Sequence, residues 1–278
     1  MKKQIYLLFF VVFLSGVSNA TMLVHYTFDE ATGATTVADT AGSYNGTLGS
    51  YQSGTNTGLY ATGLAGKYGN AAGFYSSNGS SAGGWTLADA TPLLSSSFTV
   101  SFWINTERWL NSAWFTYVNQ ASGLKMIVYS ETTGTGATGL SAKIGDYSST
   151  DSITVVNRLA LGTTGTSNEW LHVAAVVTNL SDLTLYVDGV SYASSTSTAG
   201  YGFGTAGMDG LKLGGRFGAN GTNNKYVNGL MDDFAIIDSA LNAEQILAIY
   251  NSSIPIPEPI TFILLSAGLG IVRIGRKK

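Results

Sequence analysis

The length, composition and charge of the chain already exclude some classes of protein. At 278 residues it could hold one large all-β domain or two small ones, and its 45% hydrophobic content can bury a full core. The formal net charge is −3 and only 11% of residues are charged, which disfavours nucleic acid as a partner. Cysteine is absent, so disulfides and a cysteine nucleophile are excluded. The 35 glycines suit many short strands joined by small-residue turns.

The first 20 residues have the pattern of a secretory signal peptide. Lys2 and Lys3 precede an apolar run over residues 5–14, and Ser18-Asn19-Ala20 offers small residues at the two positions that signal peptidase reads. The run is short for a spanning helix, so cleavage after Ala20 is favoured over an uncleaved anchor. We therefore expect residues 1–20 to be removed and the protein to be exported.

Alternation of apolar and polar residues predicts β-strands along most of the remaining chain. Residues 97–105 are one example, with Phe98 and Phe102 on one face and Thr99 and Trp103 on the other. The predicted strands are 21–30, 97–105, 114–119, 124–129, 142–144, 153–156, 170–177, 183–187, 190–193, 211–213 and 230–237.

The clearest stretch runs from Trp170 to Tyr192 and predicts a β-meander. A β-branched run to Val177 and an alternating strand are followed by Asp188-Gly189, a pair that suits a tight hairpin turn. Such an apolar meander has to pack against another sheet, which predicts a β-sandwich.

One helix is predicted near residue 243. Asn242 is a good N-cap and Gln245 stands at the capping-box position, while Ile246, Leu247 and Tyr250 fall on one apolar face.

The order of these segments resembles the laminin G-like (concanavalin A-like jelly-roll) family. The matching pieces are Leu23 to Glu30, Asp39-Thr40-Ala41-Gly42, Asn45-Gly46, Gly69-Asn70-Ala71, Phe98 to Ile104, Trp170 to Gly189, Gly229 to Phe234 and Ala240-Leu241-Asn242. The resemblance implies an all-β, two-sheet antiparallel β-sandwich over residues 21–253 with one short helix near its C-terminal end.

The same resemblance implies a calcium ion near the edge of the sandwich. Carboxylate and amide oxygens are the ligands that calcium prefers, and the matching positions are Asp39, Asn45 and Asp232. The alternative is that Asp39 caps a turn and Asp232 accepts hydrogen bonds from loop amides.

Residues 254–278 differ in composition from the rest. Pro257-Glu258-Pro259 precedes an apolar segment over 260–272, which would form a tail helix, and a basic end. This order resembles the PEP-CTERM sorting signal, which implies a Gram-negative bacterium, processing by exosortase and a precursor held transiently in the inner membrane. A plain C-terminal membrane anchor is the alternative.

The sequence offers few candidates for catalysis. The Glu-x-Asp-x-x-Glu pattern of glycosidases on this fold is absent, and Asp29-Glu30 and Asp232-Asp233 are adjacent pairs whose side chains point to opposite faces of a strand. His25 and His172 both lie in predicted strands, where a packed or hydrogen-bonded role is commoner than catalysis. We expect a protein that is not an enzyme.

Sugar rings stack on exposed aromatic side chains, and Trp109, Trp114 and Tyr201 are the leading candidates, with Trp85 a weaker one. We therefore predict an exported, non-catalytic protein of the cell surface or extracellular matrix that binds extracellular polysaccharide. The alternatives are a polysaccharide hydrolase or lyase on the same fold and a structural matrix protein without a specific ligand.

Overall fold

The computed structural model describes residues 20–51, 58–76, 83–106, 112–119, 124–132, 138–146, 152–161, 167–180, 182–192, 195–197, 210–216 and 226–252. Its elements are β1 (Met22–Tyr26), β2 (Thr36–Val37), β3 (Gly46–Tyr51), β4 (Gly58–Ala65), β5 (Asn70–Ser76), β6 (Gly83–Ala88), β7 (Phe98–Thr106), β8 (Ser112–Asn119), β9 (Leu124–Thr132), β10 (Thr138–Asp146), β11 (Ser152–Leu161), β12 (Ser167–Thr178), β13 (Asp182–Val187), β14 (Val190–Tyr192), β15 (Ser195–Ser197), β16 (Gly210–Leu213), β17 (Gly229–Ile237) and α1 (Ala243–Asn251). Residues 1–19 of the predicted signal peptide (1–20), the predicted tail, Trp109 and Tyr201 lie outside these residues.

The strands form two antiparallel sheets. Sheet A has the order β14-β13-β12-β7-β17-β5-β4, with β1 also paired to β17, and sheet B has the order β15-β11-β10-β9-β8-β16-β6-β3-β2. The predicted meander is confirmed as β12, β13 and β14, which pair in succession at one end of sheet A.

The core lies between the sheets, and strand β7 shows why. Phe98, Val100 and Phe102 are buried in the core cluster, so the side chains between them occupy the outer face of sheet A. Sheet B contributes Met126 and Val128 of β9 to the same cluster. The two-sheet antiparallel sandwich predicted from the sequence is confirmed.

Strand β17 is the pivot of sheet A. One edge pairs along its length with β7, while the other pairs with β5 at its start and with β1 at its end. The register shifts between Asp232 and Ala235, and Asp233 within that shift has a φ of 49°, in the left-handed region. This bulge turns two adjacent carboxylates toward different partners.

Helix α1 covers part of the outer face of sheet A. The predicted capping box is present, since the Asn242 side chain accepts from the Gln245 N–H and the Gln245 side chain accepts from the Asn242 N–H. Ile246 is buried and the Tyr250 ring stacks on Trp103 at 5.6 Å between centroids. Leu247 lies on the same side of the helix as Tyr250, since both are close to Gly189 at the β13–β14 turn, but it is 47% exposed.

Several strands differ in length from their predictions. Strand β8 begins at Ser112, before the predicted start at 114, while β10 and β11 extend well beyond the predicted 142–144 and 153–156. Glycine, serine and threonine at the strand ends hide the alternation on which the predictions depend. In the part of the chain that the structure describes, no helix is long and apolar enough to cross a bilayer.

Candidate functional site

Asp39 organises the turn between β2 and β3. Its Oδ1 accepts hydrogen bonds from the backbone N–H groups of His25 (2.9 Å) and Ala41 (3.0 Å), and its Oδ2 accepts from Tyr44 N–H (2.9 Å). The Asn45 Oδ1 in turn accepts from Asp39 N–H at 2.9 Å. Asp39 therefore caps this turn, as in the alternative that the sequence left open, and Asn45 also accepts from the loop backbone.

Asp232 lies elsewhere, on the outer face of sheet A. Its Oδ2 accepts from Tyr68 N–H at 2.8 Å, whereas its Oδ1 is buried and has no hydrogen-bond partner within the described ranges. Burial raises the pKa of the Asp232 carboxyl to about 7; the Tyr68 N–H opposes this rise and the Asp233 carboxylate adds to it.

The residues fit a calcium ion only in part. The carboxylate of Asp39 already receives three backbone donors, so a cation there would compete with the turn that it holds. Asp232 fits better, because an uncompensated buried carboxylate oxygen gains most from a nearby cation. Among the described side chains, no group of three or more histidine, aspartate or glutamate residues could hold a metal, so further ligands at Asp232 would have to be other oxygen atoms.

Three of the four carboxylates considered for catalysis, all except Asp232, bond to neighbouring segments of the chain. Asp29 Oδ1 accepts from Asn70 N–H (2.8 Å) and Glu30 Oε1 accepts from Ala38 N–H (2.9 Å). Asp233 Oδ1 lies 2.7 Å from His25 Nε2. These bonds hold loops to the sheet edge.

A hydroxyl–imidazole–carboxylate chain does exist at His25. Its Nδ1 lies 2.8 Å from Thr40 Oγ1, and its Nε2 contacts Asp233. The same hydroxyl lies 3.2 Å from the His25 carbonyl oxygen, and Thr40 N–H donates to that carbonyl at 2.9 Å. The carbonyl competes for the hydroxyl proton, so the arrangement ties the β2–β3 turn to β1 and β17 more readily than it activates a nucleophile.

The centre of the outer face of sheet A is covered by the chain itself. Asp232, Trp103 and His172 are cross-strand neighbours on β17, β7 and β12, and all three are buried. The Lys67 Nζ lies 4.2 Å from the Trp103 ring centroid, and Tyr250 stacks on the same indole. His172 Nε2 lies 2.8 Å from Ser101 Oγ, and burial together with the Lys67 charge lowers the His172 pKa to about 4. These contacts leave little of this face for a ligand.

Trp114 is not displayed for stacking. It is 1% exposed and belongs to the core cluster between the sheets. We therefore no longer assign it to ligand binding, because its start-of-strand position placed the ring inward.

The outer face of sheet B has a different chemistry. Lys212 of β16, Lys125 of β9 and Lys143 of β10 lie there, since their neighbours along each strand belong to the core. They are 3%, 1% and 7% exposed. Burial lowers the pKa of the Lys212 ammonium to about 7. Three lysines thus lie buried on one sheet face, where burial disfavours the charged form of an ammonium.

Two aromatic rings flank Lys212. Its Nζ lies 5.4 Å from the Trp85 ring centroid and 5.6 Å from the Tyr226 ring centroid. Trp85 of β6 pairs with Gly49 of β3, and a Cβ added at Gly49 would overlap the indole, so the ring lies over the glycine backbone. Trp85 is only partly buried, whereas Lys212 and Tyr226 are buried. We call Trp85, Lys212 and Tyr226 the Trp85–Lys212 site.

Tyr226 is placed in the same way as Trp85. A Cβ added at Gly215 would lie 2.9 Å from Tyr226 Cδ1 and 3.6 Å from Lys212 Cε, so the glycine makes room for both side chains. The sequence analysis named Trp85 only as a weak candidate and did not name Lys212 or Tyr226. The reason is that the three residues come from distant segments of the chain. The one local indication of this site in the sequence was a lysine between two apolar residues, Leu211-Lys212-Leu213.

Solved structures with this fold include several carbohydrate-related proteins. Domain 4 of AbnA, a GH43 extracellular arabinanase from Geobacillus stearothermophilus solved in complex with arabinotriose, is similar over 84% of this chain and 100% of its own, with 20% identity and a TM-score of 0.55. A botulinum neurotoxin DC binding domain solved with rat synaptotagmin II is 16% identical with a TM-score of 0.54, covering 84% of this chain and 52% of its own. This chain thus spans about half of the neurotoxin binding domain, and at these identities the likeness shows the fold alone.

No curated protein matches the chain in sequence. The family model described as the concanavalin A-like lectin/glucanases superfamily, Laminin_G_3, matches residues 78–247. The matched range includes Trp85, Lys212 and Tyr226, the core strand β7 and the cap of α1. It covers more than half of the sequence, and the chain therefore belongs to the concanavalin A-like lectin/glucanases superfamily.

Proposed function

We propose that this protein binds polysaccharide without cleaving it, through the outer face of sheet B. The observation that carries the proposal is the Trp85–Lys212 site, where a partly exposed indole lies over Gly49 beside a lysine ammonium. A sugar ring stacks on such a ring face, and the polar groups beside it orient the sugar hydroxyls. The arabinotriose complex of AbnA domain 4 supports this choice of ligand class.

A non-catalytic role is supported by three of the described carboxylates. Asp29, Glu30 and Asp233 each have a partner that holds a loop or the sheet edge. Asp232, with its unpaired Oδ1 and raised pKa, is the carboxylate that an assay for cleavage has to test. The superfamily name covers both lectins and glucanases, so the test has to follow binding and cleavage together.

The experiment incubates the purified protein with a panel of soluble and insoluble polysaccharides and follows co-sedimentation and reducing-sugar release in the same tubes. We expect the protein to co-sediment with at least one insoluble polysaccharide and to release no reducing sugar. Trp85→Ala should weaken the binding roughly tenfold by removing the stacking surface. Tyr68→Ala, a partly buried tyrosine on the sheet A side, is the matched control and should bind like the wild type. Sugar release would establish an enzyme instead, and no retention would favour a structural matrix role.

We further propose a calcium ion at Asp232, with its buried Oδ1 as the primary ligand. Calcium would remove the cost of that uncompensated oxygen and raise the melting temperature. Adding calcium to metal-free protein should therefore raise the melting temperature of the wild type and leave that of Asp232→Asn unchanged. If calcium left the melting temperature of the wild type unchanged, the proposed calcium site at Asp232 would be wrong.

Export from a Gram-negative cell to its surface or matrix, with exosortase acting on the tail, is also our proposal. It depends on the signal-peptide pattern of residues 1–20 and on Pro257-Glu258-Pro259 before the apolar segment. Glu258→Ala should leave an unprocessed membrane form, detectable as a larger species in membrane fractions. Normal release of that variant would count against exosortase processing.

A further inference from the structure

A partly exposed strip runs along strand β6 on the outer face of sheet B. Ala88 belongs to the core cluster, so the side chains of its neighbours Leu87 and Asp89 point outward, and the same alternation places Trp85 on the outer face. Asp89 continues the strand beyond its last residue, since its N–H donates to the Asn45 carbonyl oxygen at 2.7 Å. Trp85 and Leu87 are partly buried and Asp89 is exposed. The strip therefore extends the surface on which the indole lies.

The far end of this strip carries a hydroxyl–carboxylate pair. Thr47 lies opposite Leu87 on β3, and its Oγ1 donates to Asp89 Oδ1 at 3.0 Å. Both members of the pair are exposed. Within the described ranges this is the one side-chain hydrogen bond of either residue. It uses the hydroxyl proton and one carboxylate oxygen, so Asp89 Oδ2 and the lone pairs of Thr47 Oγ1 remain as acceptors.

A pair of groups that can only accept hydrogen bonds recognises donors. Sugar hydroxyls donate, and a hydrogen bond to a charged acceptor is about twice as strong as one between neutral groups. The carboxylate or sulfate group of an acidic sugar has no proton to donate at neutral pH, and it carries the same charge as Asp89, which repels it. Lys212, the cross-strand neighbour of Leu87, does not reverse this preference, because it is 3% exposed and its Nζ lies over aromatic rings.

The spacing along β6 indicates the length of glycan that the strip would hold. Trp85 and Asp89 are four positions apart in the sequence, which corresponds to about 13 Å along a strand. This distance exceeds the size of one sugar ring, so a ring stacked on Trp85 and hydroxyls bound at Asp89 belong to different units of one glycan. Leu87, between them, offers an apolar surface to the C–H groups of the sugar chain.

We propose that the glycan bound at Trp85 continues along β6 to Thr47 and Asp89, and that this strip selects uncharged glycans of more than one sugar unit. One ring stacks on Trp85, and hydroxyls of a further unit donate to the Asp89 carboxylate. This inference rests on the proposed function and adds to it the chemical class of the ligand, its minimum length and two further binding residues.

The test measures retention of the full chain by three neutral polymers (arabinan, dextran and hydroxyethylcellulose) and by anionic polygalacturonate in affinity electrophoresis. We expect at least one neutral polymer to retain the protein better than polygalacturonate does. Asp89→Ala should weaken that retention about tenfold, because hydrogen bonds to a charged acceptor are lost. Thr47→Val, which keeps the side-chain shape and removes the hydroxyl, should weaken it by a smaller factor. Glu244→Ala, which removes an exposed carboxylate from helix α1, is the matched control and should bind like the wild type.

Glycan length gives a second readout, which a loss of stability alone would not move. Mono-, di- and trisaccharides prepared from the retained polymer are added as competitors. The trisaccharide should compete much better than the monosaccharide for the wild type, and Asp89→Ala should remove most of that advantage.

The outcomes separate this inference from the proposed function. Stronger retention by polygalacturonate, equal competition by mono- and trisaccharide, or wild-type binding by a folded Asp89→Ala variant would each overturn the inference. If Trp85→Ala still lost its binding in those cases, the proposed function would stand. If no polymer retained the wild type, the proposed function would fail and this inference with it. Melting curves establish that each variant is folded.

Discussion

The outer faces of the two sheets both carry large buried side chains, but these side chains have different surroundings. On sheet A, Trp103 is sealed by Tyr250, Lys67 and Tyr68, so its burial is explained by contacts within the chain. On sheet B, Lys212 lies between two aromatic rings laid over glycines, and the Trp85 ring remains partly exposed. The first face is therefore covered at its centre by the chain itself, and the second is the face that we propose for a ligand.

The largest effect that tests this difference between the two faces is expected from Trp103→Ala. Because Trp103 is 1% exposed and joins strand β7 to helix α1, we expect a loss of about 3–5 kcal/mol in the free energy of unfolding. Urea denaturation measures it, with Trp103→Phe as a milder control. Glycan retention per folded molecule should stay constant. A loss below about 1 kcal/mol would contradict the view that this face is structural.

Asp232→Asn tests the acidic part of the sheet A face through pH. The folded-state pKa of about 7 lies above the unfolded value of 3.8, so the protonated carboxyl stabilises the fold. That contribution is complete below the unfolded pKa and is lost as pH rises through about 7. In metal-free buffer above that pH, the variant should be more stable than the wild type by about 1–3 kcal/mol. Melting from pH 4 to 9 checks this, and a constant difference across the range would contradict it.

Lys212→Met sharpens the contrast, since removing a charge buried on sheet B should stabilise the protein. Burial lowers the folded-state pKa of Lys212 to about 7 from 10.5, so its charge destabilises the fold as pH falls from 10.5 through 7. We expect a gain of about 1–2 kcal/mol near pH 6 that vanishes toward pH 10.5. Urea denaturation at both pH values measures it. A destabilised variant at pH 6 would show that Lys212 is structural.

The smallest effect is expected from Asn242→Ala, which removes the cap of the helix that closes sheet A. The side chain accepts from Gln245 N–H at 2.9 Å, and loss of such a cap costs about 1 kcal/mol. Thermal melting should detect the change, and Asn242→Ser, another good cap, should behave like the wild type. Altered glycan retention would contradict the separation between the two faces.

Local pattern was sufficient to predict most of the fold. Alternation along β7 identified its core residues, and Asn242 with Gln245 identified the start of α1, because both signals come from residues a few positions apart. Strands β10 and β11 were underestimated because small polar residues carry little alternation. Helical periodicity placed Leu247 on the apolar face, but it carries no information on how much of that face the sheet covers.

The candidate site was much harder to predict from the sequence. Lys212, Trp85 and Tyr226 come together only through the pairing of β16 with β6 and the return of the chain at residue 226. Local pattern carries no information about such long-range pairing. Trp114 shows the reverse error, since an aromatic residue beside an apparent loop proved to belong to the core.

The position of β1 beside β17 has a consequence for how the domain acquires its fold. Thr21 N–H donates to Asp238 Oδ1 at 2.7 Å across 217 residues of chain, and β1 has β17 as its partner in sheet A. During synthesis, the first strand must therefore remain unpaired until almost the whole domain has emerged. A sheet closed by such distant segments folds slowly, and its exposed strand edges invite aggregation in the interval. A premature stop before β17 would thus leave β1 without its partner and the centre of sheet A unfilled.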